Sequence, residues 1–125
     1  MLQHNESYLD VVPRKLRIYL TKLRASVLPV RIQTGRYNRN KLLREERRCL
    51  FCNQVDIEDE FHFVCVCTCF TEIRKKYIKK CNIIHPSVFK YCNMLQSSNT
   101  HLLSNLAKYV KEAIIYRTSI LNNIV

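Results

Sequence analysis

Apolar side chains recur along this chain mainly at three- and four-residue intervals, the period of a helix with one face on a core. From Pro13 the stripe is Leu16, Tyr19, Leu20, Leu23 and Val27, with Arg14, Lys15, Arg17, Lys22 and Arg24 largely off it. A proline suits a first helical turn, where its missing N–H has no partner to lose. Leu28-Pro29 ends the segment, because the residue before a proline is driven towards extended geometry. The spacing therefore predicts a basic amphipathic helix over 13–27. Thr71 to Lys80 reads as helical, with Ile73, Tyr77 and Ile78 inside and Arg74, Lys75, Lys76, Lys79 and Lys80 outside. Pro86 opens another helix, with Val88, Phe89, Cys92 and Leu95 on one side. After a polar break at 96–99, Asn99 or Thr100 caps a last helix. It runs to about Ile120 on Leu102, Leu103, Leu106, Val110, Ile114 and Ile115.

Between the first and second of these helices the pattern is broken by chemistry. Cys49-Leu-Phe-Cys52 is followed by His62 and by Cys65, Cys67 and Cys69. Two cysteines separated by two residues can turn both thiolates onto one ion, and a His and a later Cys complete a tetrahedral shell. The expectation is one structural Zn²⁺ in a Cys3His knuckle over 49–70. The plainer alternative is a set of buried free thiols. Stereochemistry leaves the fourth ligand open. On a helix Cys65 lies beside His62 at i+3, Cys69 lies two turns away, and Cys67 reaches the ion only if the helix ends near Cys65 and the chain turns back. The acidic patch Asp56, Glu58, Asp59 and Glu60 precedes His62. Asp56 is read as an N-cap, the other carboxylates as a first turn favoured by the helix dipole.

Three stretches carry a resemblance: Leu28-Pro-Val-Arg-Ile-Gln-Thr-Gly-Arg-Tyr37, Arg44-Glu-Glu-Arg-Arg-Cys-Leu-Phe-Cys52 and Asp56-Ile-Glu-Asp-Glu-Phe-His-Phe63. Together they resemble the zinc-binding region downstream of the polymerase domain in non-LTR (LINE-type) retrotransposon reverse transcriptases. The likeness is strongest from about Leu23 to Ile78. It implies a metal set of Cys49, Cys52, His62 and Cys67, with Cys65 and Cys69 falling where the family commonly has apolar residues; Cys65 stays the alternate fourth ligand on stereochemistry. It also implies a parent reverse transcriptase copying its own RNA at a nicked target. The chain has no segment matching the catalytic aspartates of such polymerases, so it is expected to be non-enzymatic and a fragment of the parent.

Charge adds a partner. The formal net charge is +11, and the 49–70 segment contains four acidic residues and no Lys or Arg, so the positive excess lies on the flanking segments. Such a distribution is the footprint of a phosphate-binding surface for RNA or DNA. The first choice for direct contact is the basic loop over 28–48, with Arg31, Arg36, Tyr37, Arg39, Arg44, Arg47 and Arg48, where guanidinium groups fork onto phosphates and a tyrosine stacks on an unpaired base. The alternative is a zinc-stabilised structural or protein-interaction module whose cations only solvate helix faces. A single glycine and three prolines argue against a sandwich, a barrel or a Gly-rich nucleotide site. The fold class expected is mostly α, a small helical domain stapled by a Cys3His site, single over 1–125, with 71–125 as its helical C-terminal part. The odd count of seven cysteines, the lack of an apolar N-terminal leader and the lack of any spanning run lead to the expectation of an intracellular protein of nucleus or cytoplasm, with no membrane and no small-molecule substrate.

Overall fold

A computed structural model describes residues 12–25, 28, 30, 43, 46–52 and 57–124. It is mostly helical, and among the described residues there is no strand beyond an isolated antiparallel bridge between Arg48 and Ile57. The α-helices are α1 (Arg14–Arg24), α2 (Thr71–Tyr77), α3 (Lys80–Ile83), α4 (Val88–Leu95) and α5 (Thr100–Ile124). A π-helical turn (His62–Val66) and a 3₁₀ turn (Thr68–Phe70) precede α2.

The long α5 is the spine, and α1 and α2 pack along it. Its inner face buries Leu103, Leu106, Ala107, Tyr109, Val110 and Ala113. The two small alanines let neighbouring elements approach where Tyr109 fills the space beside them. α1 contributes Leu20 and Leu23, the central turn Phe63 and Val64, and Phe70 stacks edge-on against Phe63 with centroids 5.1 Å apart. Full burial of each such side chain is worth about 1.5–3 kcal/mol, so this aromatic and aliphatic cluster is the main source of stability apart from any bound ion.

The expected stripe of α1 faces the core, with Leu16 and Tyr19 at its margin; Val27 lies outside the described residues. Asn99 caps α5 as expected, its Oδ1 accepting from Leu102 N at 3.2 Å. The helix runs on to Ile124, and Ile115, expected inside, is exposed. Two other expectations are corrected. The helix predicted over Thr71 to Lys80 breaks at Ile78, whose extended backbone lets its side chain enter the core before α3 begins, and Arg74 is buried rather than solvated. α4 is rotated: Tyr91 and Met94 are its buried residues, while Val88, Phe89 and Cys92 face out. Ser87, not Pro86, starts that helix, its hydroxyl accepting from Lys90 N at 3.1 Å. Tyr91 packs edge-on to Phe61 at 6.0 Å, and the Arg24 guanidinium donates to the carbonyl of Leu95, so the middle and the C-terminal end of α4 are held in this rotation.

Candidate metal centre

The knuckle begins where Arg48 pairs with Ile57 and Glu58 N donates to the Arg47 carbonyl at 2.9 Å. This clasp closes the chain on itself and brings Cys49 and Cys52 towards the segment that carries His62. In the turn between them Phe51 N lies 3.5 Å from Cys49 Sγ, a backbone donor aimed at a sulfur that would carry negative charge. Asp59 caps the helical turn that carries His62: its Oδ1 accepts from His62 N at 2.8 Å. Asp56 lies outside the described residues.

The turn that follows determines which of the later cysteines meets Cys49, Cys52 and His62. His62–Val66 is wound as a π turn, and Cys67 N donates to the His62 carbonyl at 2.8 Å, five residues back. An ordinary α turn would place the fourth residue after His62 at that level; the wider turn places the fifth there. Cys67 then leaves the helix with φ −57° and ψ 124°, which is the turn-back that Cys67 needs to reach the ion. Cys65 is buried too, but its sulfur does not join the group.

As a result Cys49, Cys52, His62 and Cys67 converge, their ligand atoms all within 4.8 Å of one another. Cys49 Sγ lies 3.7 Å from Cys67 Sγ, and Cys52 Sγ 3.4 Å from His62 Nε2. A tetrahedral ion with metal–sulfur bonds of about 2.3 Å and a metal–nitrogen bond of about 2.0 Å has edges of roughly 3.8 and 3.5 Å. The two observed edges match, so the group could hold a metal ion. In the absence of an ion the paired sulfurs compete for a proton. The Cys67 contact, aided by His62 and nearby amides, holds the Cys49 thiol down to about 3, while the same contact and burial push Cys67 up. Cys65 is an inert thiol by comparison, pushed up to about 11 by burial against the opposing pull of Arg74. Burial also raises Cys69, and Cys81 and Cys92 are exposed. His85, at φ 51°, is exposed as well, and no second metal-holding group occurs among the described residues.

Comparison of the chain with family models, curated proteins and solved structures gives no match.

Two buried arginines hold the centre's frame, and both escape a reading that sends every arginine to the surface. Arg117 of α5 forms a two-bond pair with Glu58, Nε to Oε2 at 3.0 Å and Nη2 to Oε1 at 2.6 Å, and its guanidinium lies 4.9 Å from the Phe51 ring centre. The knuckle is thereby fastened to the spine through the residue before Cys52 and the residue four before His62. Arg74 of α2 donates from Nε to the Val64 carbonyl at 2.7 Å and from Nη2 to the Phe63 carbonyl at 3.3 Å. Tyr109 adds a hydroxyl donor to the Phe63 carbonyl at 2.5 Å. These are the carbonyls that the end of a helical turn leaves without backbone partners, and buried they must be satisfied. The signal was periodicity: Arg117 continues the stripe Leu103, Leu106, Val110, Ala113, and Arg74 lies one turn after Phe70 and one before Ile78.

Of the residues expected to touch nucleic acid, Arg47 and Arg48 stand at the mouth of the knuckle, half-buried and exposed respectively. Arg31, Arg36, Tyr37, Arg39 and Arg44 lie outside the described residues. No helix among the described residues is long and apolar enough to cross a membrane.

Proposed function

We propose that the chain is a zinc-stabilised, non-enzymatic module that binds RNA or DNA through phosphate contacts. The observation that carries the reading is the placement of cations on the spine α5 and on the two helices packed along it. Arg14, Lys15 and Lys22 on α1, Lys75 and Lys76 on α2, and Lys108 and Lys111 on α5 are all exposed. Phosphate neutralisation by such groups releases counterions and gives affinity without sequence specificity. The loop residues Arg31, Arg36, Tyr37, Arg39, Arg44, Arg47 and Arg48 are taken as further contacts to phosphate and base.

Zinc is the ion assigned to the Cys3His group. Three thiolates and an imidazole suit a borderline-soft ion without geometric preference of its own, and four protein ligands make a closed, structural site. The likeness of 28–63 to the post-polymerase region of LINE-type reverse transcriptases supports the same reading and makes the rest of such an enzyme the proposed covalent context. The test is affinity for single-stranded RNA and duplex DNA over a salt series with the zinc-loaded protein. For Z phosphate contacts log K falls with log salt at a slope of about −0.7Z for single strands and −0.9Z for duplex. No binding at about 50 mM salt, or a flat slope, leaves a zinc-stabilised structural or protein-interaction module instead.

A further inference from the structure

A cavity of about 250 Å³ opens between the α2–α3 break, α4 and the start of α5. Its floor is apolar, made by Ile78, Met94 and Leu106, all buried. Its walls are polar: Tyr77, Lys79, Asn82, His101 and Asn105 line it. The side chains of Asn82 and Asn105 make no hydrogen bond among the described residues, so each keeps an amide donor and a carbonyl acceptor available at the wall.

The size and chemistry narrow the ligand. The volume is below the roughly 300–1,000 Å³ of clefts for drug-sized molecules, leaving room for one compact ring system. A purely apolar ligand would leave the amides unmatched, and a lone phosphate would lie on an apolar floor. A planar heterocycle with alternating donors and acceptors on its edge satisfies both walls and floor. Tyr77 lines the cavity and supplies an aromatic ring to its wall; its hydroxyl donates to Glu112 Oε1 at 2.8 Å, and Lys76 Nζ lies 5.3 Å from the ring centre. Tyr77 also lines a second groove, of about 360 Å³, with Leu16 of α1 and with Lys108 and Lys111 of α5. Neither lysine forms an ion pair among the described residues.

From this arrangement we propose that the cavity receives one unstacked nucleobase of a bound single strand, while the neighbouring phosphates lie along Lys79 and the Lys108 and Lys111 edge of the adjoining groove. The inference rests on the nucleic-acid reading above and adds to it a base-accepting site on the helical part of the chain. Unpaired bases are recognised in this manner, by stacking on an aromatic ring and by amides reading the base edge.

The test uses the full zinc-loaded chain, a fluorescent uridine strand, and a strand of the same length whose sugars carry no bases. The wild type is expected to bind the base-bearing strand about tenfold more tightly. Asn82→Leu with Asn105→Leu, which narrows the cavity and removes its amides, should abolish that preference and keep the salt slope. Lys108→Ala with Lys111→Ala should weaken both strands alike and flatten the slope. Should the leucine pair fail to fold by circular dichroism, Asn105→Ala, at a half-buried position, is read in its place. Equal affinity of the wild type for both strands, or a preference that survives loss of the amides, overturns the base site while a salt slope leaves the nucleic-acid reading standing. Absence of binding to either strand at low salt overturns both.

Discussion

Arg117 Nη2 and Glu58 Oε1 meet at 2.6 Å with the Arg117 side chain 6% exposed and that of Glu58 fully buried. The pair is two-pronged, and Phe51 lies against the guanidinium, so the metal knuckle is fixed to α5 by a charge pair and an aromatic stack at once. Taking two charges out of water costs about as much as their attraction returns, but removing one partner strands the other. Arg117→Met is therefore expected to lower stability by about 3–5 kcal/mol in urea unfolding of the zinc-loaded protein. Glu58→Gln combined with Arg117→Met should cost less than the sum of the single changes. Additive effects would show that the pair does not act as a unit.

The Cys3His convergence predicts which thiols matter to the ion. Cys49→Ser, Cys52→Ser, His62→Ala and Cys67→Ser should each lose the single zinc found by elemental analysis. Cys65→Ser, Cys69→Ser, Cys81→Ser and Cys92→Ser should retain it, because none of these sulfurs joins the four-ligand group. Cys65→Ser should still cost stability, since a hydroxyl replaces a thiol at a buried site. Chelation should unfold at least 48–70, because structural zinc supplies on the order of 10 kcal/mol, as much as a small domain's whole stability. Zinc loss in Cys65→Ser with retention in Cys67→Ser would sink the assignment.

The helical architecture and most of the Cys3His group were legible in the residue pattern, for different reasons. Helical periodicity placed α1 through Leu16, Tyr19, Leu20 and Leu23, and α5 through a longer stripe of Leu and Val. Spacing brought Cys49, Cys52 and His62 together, but Cys65 and Cys67 could not be separated on stereochemistry, since the answer lies in how one turn is wound. A π turn has no sequence signature, and the family likeness pointed to Cys67 without supplying that cause. The rotation of α4 was missed because an eight-residue helix with Val88, Phe89, Tyr91, Cys92, Met94 and Leu95 is apolar around most of its circumference, and contacts to Phe61 and Arg24 choose the face. Arg74 and Arg117 were missed because their partners, the Phe63 and Val64 carbonyls and Glu58, are visible only once the fold has formed.

The surface joint between α2 and α5 should show in titration. Glu112 accepts from Lys76 Nζ at 2.7 Å and from the Tyr77 hydroxyl, and these donors, the ammonium first, hold its carboxyl below the usual carboxylate range. The same contact raises Lys76 and Tyr77. A depressed carboxyl contributes stability that is present above its unfolded value and is lost as pH falls through its folded one. A raised ammonium contributes below its unfolded value and loses that contribution as pH rises through the folded one. The joint therefore contributes from about pH 5 to about pH 10 and fades on both sides. Carboxyl NMR should find Glu112 titrating low and Lys76→Met moving it back up; an unchanged titration would show the contact to be absent in solution.

The winding of the π turn depends on donors that are remote in sequence. Arg74 supplies two hydrogen bonds to the Val64 and Phe63 carbonyls, and Tyr109, 46 residues beyond Phe63, supplies a third. Burial also keeps the Tyr109 hydroxyl protonated by raising it well above its ordinary value, so it remains a donor throughout the physiological range. Tyr109→Phe removes one donor and leaves the Phe63 carbonyl with Arg74 alone, which should cost about 1–3 kcal/mol. Arg74→Met leaves the Val64 carbonyl without that donor and should cost more. If these bonds hold the turn in the form that sets Cys67 over His62, both changes should also weaken metal binding. Cobalt(II) provides the readout, since its visible absorption reports tetrahedral coordination by three sulfurs and one nitrogen directly. A loss of stability with the cobalt spectrum and affinity unchanged would mean that Arg74 and Tyr109 support the core alone and that the turn keeps its winding without them.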